Sequence, residues 1–466
     1  MNNKLDDFKT YIKNKKVAVL GIGISNIPLI KYLHSLGVNV TAFDKSCKND
    51  LCCVLDEFKE LDIQCSLGDG YLKNLKGFDI VFRTPGMRYD IPEIVSAKKE
   101  GAKVTSEMEV FFELCPAEIF AVTGSDGKTT TSTLIHKMLK KQGYKSWLGG
   151  NIGTPLLSKI DKIKDTDKVV LELSSFQLHT MSMSPKTAVI TNLSPNHLDF
   201  HKSMDEYVDA KKNIFKFQSA GDKLILNFDN DITKKFKSEA KGKVVYFSRI
   251  QQLSSGAGIK NGKIVYKDEN REVEVVDTKD ISIPGMHNVE NYLAAICAVI
   301  GYVDVETIQK TAKEFKGVEH RLELVGETDG IMFYNDSIAS SPSRTIAGLL
   351  SFGQKVILIS GGYDKNIPYD AMGEYIAKKV KSMVLIGQTS DKIHKALEGE
   401  IERTGKGKDV LVYKCDSLEE AVKKAYECAL CGDIILMSPA SASFDMFKNF
   451  DERGKKFKDA VKNIVK

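Results

Sequence analysis

The sequence has no long apolar run, no excess of one charge and no regular cysteine pattern. No stretch approaches the roughly 20 apolar residues that span a bilayer, and the polar start MNNKLDDFKTYIKNKK lacks the apolar core of a signal peptide, so we expect a cytoplasmic protein that does not bind membranes. The 67 basic and 62 acidic residues are too evenly balanced for a nucleic-acid-binding surface.

The nine cysteines are odd in number and irregularly spaced, which argues against a disulfide framework. Cys428 and Cys431 form a C-x-x-C inside a helical pattern. No second pair accompanies them, and a structural zinc site needs four ligands. We therefore expect no zinc or redox role for this pair.

Strand-like runs alternate with helical stretches along 466 residues, which predicts an α/β protein with parallel sheets and more than one core. Three blocks can be distinguished. Residues 1–106 begin with the strand KVAVLGIGIS, residues 107–316 contain IFAVTGSDGKTT and a hairpin signal at Asn261-Gly262, and residues 317–466 contain strands such as KVILISGG and DIILMSP. We predict three domains with these bounds.

The most informative stretch is GSDGKTTT, which follows the apolar run IFAV and opens a helical pattern. A strand, a glycine-rich turn and a helix together present backbone N–H groups to a phosphate. Lys128 would then reach the outer phosphates, and Thr129 would place its hydroxyl on Mg²⁺. Val122 stands where the standard G-x-x-x-x-G-K-[ST] pattern requires its first glycine, so the stretch is predicted to be a shorter variant of that loop.

Two further polar residues follow later strands of the same block. Glu172 lies at the end of the apolar strand VVLELSS, and His197 follows the strand AVITNLS. Because the carboxyl ends of parallel strands meet at one edge of a sheet, both residues are expected near the phosphate loop. Together with that loop they predict a metal site.

These motifs, in this order, resemble the Mur ligases, the ATP-dependent amino-acid-adding enzymes of peptidoglycan synthesis. The resemblance covers essentially the whole chain, and it rests on TGSDGKTT, LELSSFQL, NLSPNHLDFH, GMHNVEN, EHRLE and FYNDS. The segments GGYDKN and SPASASFDMFKNFDERG are similar to the branch that adds D-glutamate. The resemblance implies a Rossmann-like N-terminal domain, a central P-loop ATPase-like domain with a mostly parallel sheet, and a Rossmann-like C-terminal domain.

The resemblance also implies the reaction. ATP would convert the carboxylate of UDP-N-acetylmuramoyl-L-alanine to an acyl phosphate, which the amine of D-glutamate would attack through a tetrahedral intermediate. Two Mg²⁺ ions and a monomeric protein are expected. The family pattern Tyr-x-x-Ala-Lys-x-x-Ile selects Lys211, rather than Lys212, as the lysine that can carry a CO₂-derived carbamate. The implied catalytic residues are Lys128, Glu172, His197 and Lys211, and the implied metal ligands are Thr129, Glu172, His197 and Lys211.

Further binding residues follow from the same resemblance. Asn288 and Asn291 lie three positions apart, so one helical face can carry both to the adenine. The implied ATP-binding residues are Gly124, Ser125, Asp126, Gly127, Lys128, Thr129, Thr130, Asn288, Asn291, Arg321 and Asp336, with His320 as a weaker candidate beside them. Those for the UDP-linked substrate are Ile24, Ser25, Asp44, Lys45, Gly86 and Asn151. Those for D-glutamate are Ser340, Lys365, Ser443, Phe444 and Phe450.

One segment departs from the family pattern. The chain reads NDSIASSPSR, so Ile338 stands where family members carry a lysine, and Ser340 replaces a threonine. Ser340 keeps a hydroxyl for the substrate carboxylate. We hypothesise that Arg344 supplies the missing cation.

Other functions are kept as alternatives. Another Mur ligase or a folate polyglutamate ligase would share the central loop. A nicotinamide dehydrogenase would use GIGIS and Asp44, although Asn26 stands where its fingerprint has a third glycine. A nucleotide-driven regulatory switch would bind ATP without ligating anything.

Overall fold

Three β-sheets follow one another along the chain, and each lies within one of the three blocks distinguished in the sequence. The computed structural model describes residues 3–195, 200–269, 271–365 and 367–465. Their contacts define two units, one running up to Val276 and including Glu290–Thr311, the other formed by Asp277–Val289 and Ala312–Lys466. The α/β fold with mainly parallel sheets confirms the predicted class, whereas the domain bounds at residues 106 and 316 stay predictions.

The first sheet is entirely parallel, with the strand order β3-β2-β1-β4-β5. Its strands are β1 (Lys16–Leu20), β2 (Asn39–Asp44), β3 (Gln64–Leu67), β4 (Ile80–Arg83) and β5 (Lys103–Thr105). The helices beside it are α1 (Asn3–Lys13), α2 (Asn26–Ser35), α3 (Cys52–Glu60) and α4 (Pro92–Lys99). The chain leaves β1 towards β2 and later returns to the other side of β1 as β4. The carboxyl ends of β1 and β4 therefore form a topological switch point, where such sheets bind ligands.

The central sheet has nine strands in the order β14-β13-β12-β11-β10-β9-β6-β8-β7. They are β6 (Glu118–Thr123), β7 (Ser146–Gly150), β8 (Lys168–Glu172), β9 (Thr187–Ile190), β10 (Lys223–Asn227), β11 (Lys243–Phe247), β12 (Gly256–Lys260), β13 (Lys263–Lys267) and β14 (Glu272–Asp277). The helices of this part are α5 (Glu107–Leu114), α6 (Lys128–Lys141), α7 (Ser175–Leu178), α8 (Met204–Lys216), α9 (Met286–Val299) and α10 (Val305–Glu314). Strands β6 to β11 pair in parallel, so the carboxyl ends of β6, β8 and β9 lie at one edge.

The hairpin predicted at Asn261-Gly262 is confirmed. It joins the antiparallel strands β12 and β13. Asn261 and Gly262 have φ values of 50° and 75°, and a two-residue turn with positive φ at both positions matches the twist of the strands it connects.

The third sheet has the order β15-β16-β20-β17-β18-β19, and only β15 is antiparallel to its neighbour. Its strands are β15 (Glu323–Thr328), β16 (Ile331–Asn335), β17 (Val356–Gly361), β18 (Val380–Ile386), β19 (Leu411–Lys414) and β20 (Ile434–Met437). Its helices are α11 (Pro342–Leu350), α12 (Met372–Lys379), α13 (Ser390–Thr404), α14 (Leu418–Glu427) and α15 (Phe450–Ile464).

The position of the C-x-x-C pair differs from the prediction. Helix α14 ends at Glu427, so Cys428 is its C-cap and Cys431 lies in the exposed turn beyond it. Within the described ranges no cysteine takes part in a group with metal-ligand spacing. None of the helices in those ranges is long and apolar enough to cross a membrane.

Candidate active site

The turn between β6 and α6 has the geometry expected of a phosphate loop. Gly124 and Gly127 have φ values of 152° and 76°, which L side chains rarely adopt. A side chain on Gly124 would collide with Thr191, and one on Gly127 with Asn291. Both glycines are therefore required by backbone conformation and by close packing, and α6 starts directly after the second one.

Lys128, the first residue of α6, folds its side chain back over the loop. Its Nζ donates to the carbonyl oxygen of Ser125 at 2.9 Å. Asp126 is exposed, and its N–H donates to Asn192 Oδ1 at 3.0 Å. Thr129 is half-buried and Thr130 is buried. The loop is thus fixed from one side by Asn192, a residue at the end of β9 that the sequence analysis did not single out.

Ser125 differs from the other loop residues because its hydroxyl contacts other parts of the protein. The Ser125 Oγ donates to the carbonyl oxygen of Ser194 at 3.0 Å and lies 2.8 Å from the Tyr207 hydroxyl. The N–H of Ser194 donates back to the same oxygen at 2.9 Å. The side chain of Ser125 therefore anchors the loop to α8, and its backbone is the part left for a nucleotide.

Glu172, at the end of β8, is buried and incompletely paired. Its Oε1 accepts a hydrogen bond from Asn151 Nδ2 at 2.9 Å. Its Oε2 is buried and has no hydrogen-bond partner among the described residues. A buried carboxylate oxygen without a partner is costly unless a cation or a ligand completes it. Asn151, predicted to bind the substrate, is therefore placed directly on the predicted metal ligand.

The structure distinguishes the two adjacent lysines of α8. Lys211 is buried, and its Nζ donates to Thr123 Oγ1 at 3.0 Å and to the Gly124 carbonyl at 2.9 Å. Burial, reinforced by the positive charge of Lys128, lowers the pKa of Lys211 well below its ordinary value. Lys212 instead forms a 2.8 Å ion pair with Glu239 near the surface. The burial of Lys211 beside the loop and the lowered pKa favour Lys211, rather than Lys212, as the reactive lysine.

Helix α8 presents Lys211 to the loop because of its local sequence. The Ser203 hydroxyl accepts the N–H of Glu206, which caps the helix start. Tyr207, Lys211 and Ile214 follow at helical spacing on the buried face. His197, predicted to be a metal ligand, lies outside the described residues.

The predicted UDP residues surround the carboxyl ends of β1, β2 and β4. Ile24 is 85% exposed, and Ser25, Lys45 and Gly86 are also exposed. Burial tends to raise the pKa of Asp44, but N–H donors of Ser46 and Ile22 outweigh it and hold that pKa below its usual range. The N–H of Ile22 donates to Asp44 Oδ2 at 2.6 Å and that of Ser46 to Oδ1 at 2.8 Å, so the carboxylate shapes both loops.

Asn26 occupies the position of the third glycine of a dinucleotide fingerprint, and its side chain stabilises the turn there. Its side chain is buried, and its Nδ2 donates to the carbonyls of Leu20 and Gly21, both at 3.0 Å. The amide thus closes the β1–α2 turn with hydrogen bonds. A glycine would leave these carbonyls without that donor.

Helix α9 carries both predicted adenine-side asparagines. In the first unit, Asn291 Oδ1 accepts the Thr131 hydroxyl at 3.3 Å and lies against Gly127. In the second unit, Asn288 Nδ2 donates to the carbonyl of Pro284 at 2.6 Å. Each amide therefore stabilises the local structure, and the contact of both residues with the adenine stays a prediction.

The second unit brings Arg321 and Asp336 together. Asp336 is buried, its Oδ2 accepts the Ser438 hydroxyl at 2.8 Å, and its Oδ1 accepts the N–H of Leu322 at 3.3 Å. Burial raises the pKa of Asp336 to about 7 against the opposing effects of Ser438 and Arg321. Arg321 Nε is buried without a hydrogen-bond partner among the described residues. His320 precedes it at a φ of 62°, an unfavourable backbone conformation.

His320 packs against α15 rather than facing a ligand. Its Nε2 lies 3.1 Å from Asp451 Oδ1, and its Nδ1 lies 2.9 Å from Asn335 Nδ2. The ring contacts Gly454, where a side chain would overlap it. Its local contacts are those of a structural residue.

The predicted D-glutamate residues lie in the loops after β16, β17 and β20, except Phe450, which is the first residue of α15. Phe444 and Phe450 are 62% and 42% exposed, so neither belongs to the apolar core. Lys365 is exposed, Ser340 is half-buried and Ser443 is buried. Two aromatic rings, a cation and two hydroxyl-bearing residues are suitable for an amino-acid dicarboxylate.

Arg453, which the sequence analysis missed, holds these loops in place. It is 1% exposed, and its guanidinium donates to the hydroxyl and carbonyl of Ser337 and to the carbonyls of Ser441 and Ala442 at 2.9–3.1 Å. Burial lowers its pKa to about 10, so it stays charged at neutral pH. The arginine thereby fixes the loop after β16 to the loop after β20.

Comparisons with known proteins agree with this arrangement. Three family models match the chain: the MurD-like N-terminal domain of Mur ligases over residues 15–106, the Mur ligase middle domain over 122–299, and the Mur ligase glutamate ligase domain over 320–441. The chain is 68% identical to the UDP-N-acetylmuramoylalanine--D-glutamate ligase of Acetivibrio thermocellus over 464 residues, which cover 100% of both chains. The chain belongs to the Mur ligase family.

Other Mur ligases support this membership. The protein of the same name from Ruminiclostridium cellulolyticum is 59% identical, and that from Clostridium novyi is 54% identical, each over 100% of both chains. Among solved structures, the UDP-N-acetylmuramate-alanine ligase MurC of Thermotoga maritima matches with a TM-score of 0.60 at 20% identity, covering 97% of this chain and 100% of that one. At that identity, the structural match supports the fold alone.

In this Mur ligase the raised pKa of Asp336 predicts a pH-dependent stability. A carboxyl whose pKa is higher in the folded than in the unfolded state stabilises the fold below the unfolded pKa and loses that contribution as pH rises through the folded pKa. From a pH of about 4 to about 7, the wild type should therefore lose stability relative to Asp336→Asn. A rise from 3.8 to about 7 corresponds to at most about 4 kcal/mol.

Urea unfolding of both proteins across this range measures the effect. Asp391→Asn is the control, because Asp391 is exposed and Lys414 lowers its pKa, so its contribution should be lost as pH falls. Parallel stability–pH curves for the wild type and Asp336→Asn would contradict the prediction.

Proposed function

We propose that the protein joins D-glutamate to the alanyl carboxylate of UDP-N-acetylmuramoyl-L-alanine, with conversion of ATP to ADP and phosphate, in the cytoplasmic synthesis of peptidoglycan precursors. The observation that carries the proposal is the full-length 68% identity to the Acetivibrio thermocellus enzyme of that name. The phosphate loop, the incompletely paired Glu172 and the buried Lys211 lie in one unit. They support phosphoryl transfer as the chemistry of that unit.

The reaction needs ATP because a carboxylate is a poor electrophile. Transfer of the γ-phosphoryl group to the alanyl carboxylate gives an acyl phosphate. The amine of D-glutamate attacks its carbonyl carbon, a tetrahedral intermediate forms, the amine loses a proton, and phosphate leaves as the C–O bond breaks. Lys128 would bind the transferring phosphoryl group, where a fixed cation stabilises the transition state.

The donor set of the first unit fits Mg²⁺. The buried Glu172 Oε2 has no hydrogen-bond partner among the described residues, and carboxylate and hydroxyl oxygens are the donors that Mg²⁺ prefers. Thr129, Glu172, His197 and a carbamate on Lys211 would hold two ions. When bound, these ions would neutralise the phosphate charge.

The substrates would bind at the loop clusters described above. Ile24, Ser25, Asp44, Lys45 and Gly86 would contact the UDP moiety, and Asn151 would contact the sugar. D-glutamate would contact Ser340, Lys365, Ser443, Phe444 and Phe450, and Arg321 and Asp336 are proposed as ATP-binding residues. A monomeric state is also proposed, and sedimentation velocity measures it directly.

Phosphate release by the purified protein with ATP, Mg²⁺ and UDP-N-acetylmuramoyl-L-alanine tests the function. Each candidate amino acid is added in turn, and the product is identified by mass. Release that depends on D-glutamate is the expected result. Release that depends on another amino acid would assign the residues proposed for D-glutamate to that amino acid instead. Steady release without any amino acid would favour the regulatory switch.

Arg344 provides a more specific test of the amino-acid pocket. Its Nη1 lies 3.3 Å from the carbonyl oxygen of Ile338, which also accepts the N–H of Ser340. If Arg344 supplies the cation that Ile338 lacks, Arg344→Ala should raise the KM for D-glutamate about fivefold to tenfold, the effect of roughly 1 kcal/mol. The kcat and the KM for ATP should stay within about twofold.

Ser343→Ala is the matched control, because Ser343 is the exposed neighbour of Arg344 on α11. Steady-state kinetics with varied D-glutamate measure both variants. An unchanged KM for D-glutamate in Arg344→Ala would remove Arg344 from the pocket.

A further inference from the structure

Arg88 lies in the loop after β4 and connects the first sheet's part of the first unit to α8 and the residues before it. Its Nη1 donates to the carbonyl oxygen of Phe200 at 2.7 Å, and its Nη2 donates to Glu206 Oε1 at 3.0 Å. Its Nε and Nη2 also donate to Asp90 at 2.8 and 2.9 Å. Lys202 Nζ closes the group with a 2.9 Å ion pair to Asp90. We call these five residues the Arg88 network.

The loop that carries Arg88 is itself held by a second arginine. Arg83 is buried, and its Nη1 donates to the carbonyls of Thr84, Pro85 and Met87. These three carbonyls surround Gly86, the residue proposed to contact the UDP moiety. A single guanidinium therefore fixes the conformation of this loop, so a displacement of the loop would be transmitted to Arg88, which lies two residues beyond Gly86.

The other end of the network lies on the helix that holds the phosphate loop. Glu206 is in the first turn of α8. One residue later, the Tyr207 hydroxyl lies 2.8 Å from Ser125 Oγ, and one turn further Lys211 Nζ donates to the Gly124 carbonyl at 2.9 Å. A helix is a stiff element. A shift of the first turn of α8 would therefore also move Tyr207 and Lys211, the two residues that contact the phosphate loop.

Another role for the network fits the structure less well. His179, His201 and Glu206 have ligand atoms within 4.8 Å of one another, the spacing of a metal site. However, the Arg88 guanidinium already lies on the Glu206 carboxylate and would repel a cation. Hydrogen bonds from Arg88 lower the pKa of Glu206 to about 2, which keeps this carboxylate charged and paired with Arg88 at neutral pH.

We propose that Arg88 is a positioning residue that couples binding of the UDP-linked substrate to the conformation of the ATP phosphate loop through α8. The proposal rests on the function proposed above. An arginine suits this task because its planar guanidinium can donate to Asp90, Phe200 and Glu206 at once, which a lysine ammonium cannot do in the same geometry. The alanyl carboxylate and the γ-phosphate must meet for phosphoryl transfer, and coupling through a shared element adds a reciprocal change of affinity to that contact.

The test is an equilibrium measurement. Isothermal titration calorimetry gives the Kd of a non-hydrolysable ATP analogue, with Mg²⁺, in the absence and presence of saturating UDP-N-acetylmuramoyl-L-alanine. In the wild type we expect the UDP-linked substrate to tighten nucleotide binding at least about fivefold, the lower range of typical couplings. In Arg88→Ala the coupling factor, which is the ratio of the nucleotide Kd values without and with the UDP-linked substrate, should lie within about twofold of one. The Kd of each ligand alone should stay within about threefold of the wild-type value.

Two further variants keep the test decisive. Arg88→Lys keeps the positive charge but loses the planar guanidinium, so its coupling factor should lie between those of the wild type and Arg88→Ala. This variant tests the proposal even if Arg88→Ala folds poorly. Lys9→Ala is the matched control. Lys9 forms an ion pair with Asp161 that also joins the first sheet's part of this unit to the central part. Among the described residues, neither Lys9 nor Asp161 forms a hydrogen bond or an ion pair with α8. Its coupling should equal that of the wild type.

The possible failures can be told apart. If the wild type binds neither ligand, the proposed function fails. If both ligands bind but their affinities are independent in the wild type, or if Arg88→Ala and Arg88→Lys keep the wild-type factor, the Arg88 proposal is overturned and the function stands. An equal loss in Lys9→Ala would also overturn it, since any contact between the two parts would then suffice.

Discussion

Lys128→Ala is expected to lower kcat for ATP-dependent ligation by about 10²–10³-fold, the usual cost of removing a fixed charge from a transition state. The Lys128 Nζ already lies over the phosphate loop, 2.9 Å from the Ser125 carbonyl. No large conformational change is needed for it to reach a bound phosphate. Steady-state phosphate release and calorimetric binding of an ATP analogue measure the effect separately on catalysis and on affinity.

Lys212→Ala is the matched control for this variant. Lys212 is also a lysine of the first unit, but it forms an ion pair with Glu239 near the surface, and surface pairs contribute little. Its kcat should stay within about twofold of the wild type. If Lys128→Ala lost less than about tenfold, Lys128 would be a structural residue of the loop and the phosphoryl group would need another cation.

The phosphate loop could be predicted from the sequence because its determinants are local. An apolar strand, two glycines, a lysine and a run of hydroxyl residues follow one another in the chain, and this order predicts a strand, a tight turn and a helix. The structure adds the reason for the glycines, since Thr191 and Asn291 occupy the space that side chains there would need. Those two partners come from distant parts of the chain, which no local pattern reveals.

Two buried arginines were also missed. Arg83 and Arg453 are buried, and each holds carbonyl groups of loops that follow strands. In the sequence Arg83 ends the apolar strand β4 and Arg453 stands in a polar segment, and a charged side chain normally lies on the surface. The strand order brings together the carbonyls that Arg453 holds, whereas those held by Arg83 belong to the loop directly after it. The hydroxyl of Ser125 shows the converse: the motif predicts a ligand contact, whereas the fold directs the hydroxyl to Tyr207 and Ser194.

Lys211→Ala is expected to lower kcat by about 10²-fold or more, because it would remove an anion from the metal site. The buried amine of Lys211 has a pKa well below its ordinary value, chiefly through burial. The direction of this pKa shift favours carbamate formation. A lowered pKa means that more of the amine is uncharged at neutral pH, and only the uncharged amine adds CO₂. The proposed carbamate would carry a negative charge, which suits a site beside Lys128 and the two proposed Mg²⁺ ions.

The carbamate can be detected without an activity assay. With ¹³C-bicarbonate, the wild type and Lys212→Ala should show a carbamate carbon signal that Lys211→Ala lacks, and depleting CO₂ should lower the activity of the first two proteins. The Lys211 ammonium donates to the Gly124 carbonyl and the Thr123 hydroxyl, so the modification must exchange these bonds for metal contacts. We therefore expect the signal to strengthen when Mg²⁺ and an ATP analogue are added. A wild-type protein that is fully active without CO₂ and shows no such signal would leave Lys211 as a cation that fixes the loop.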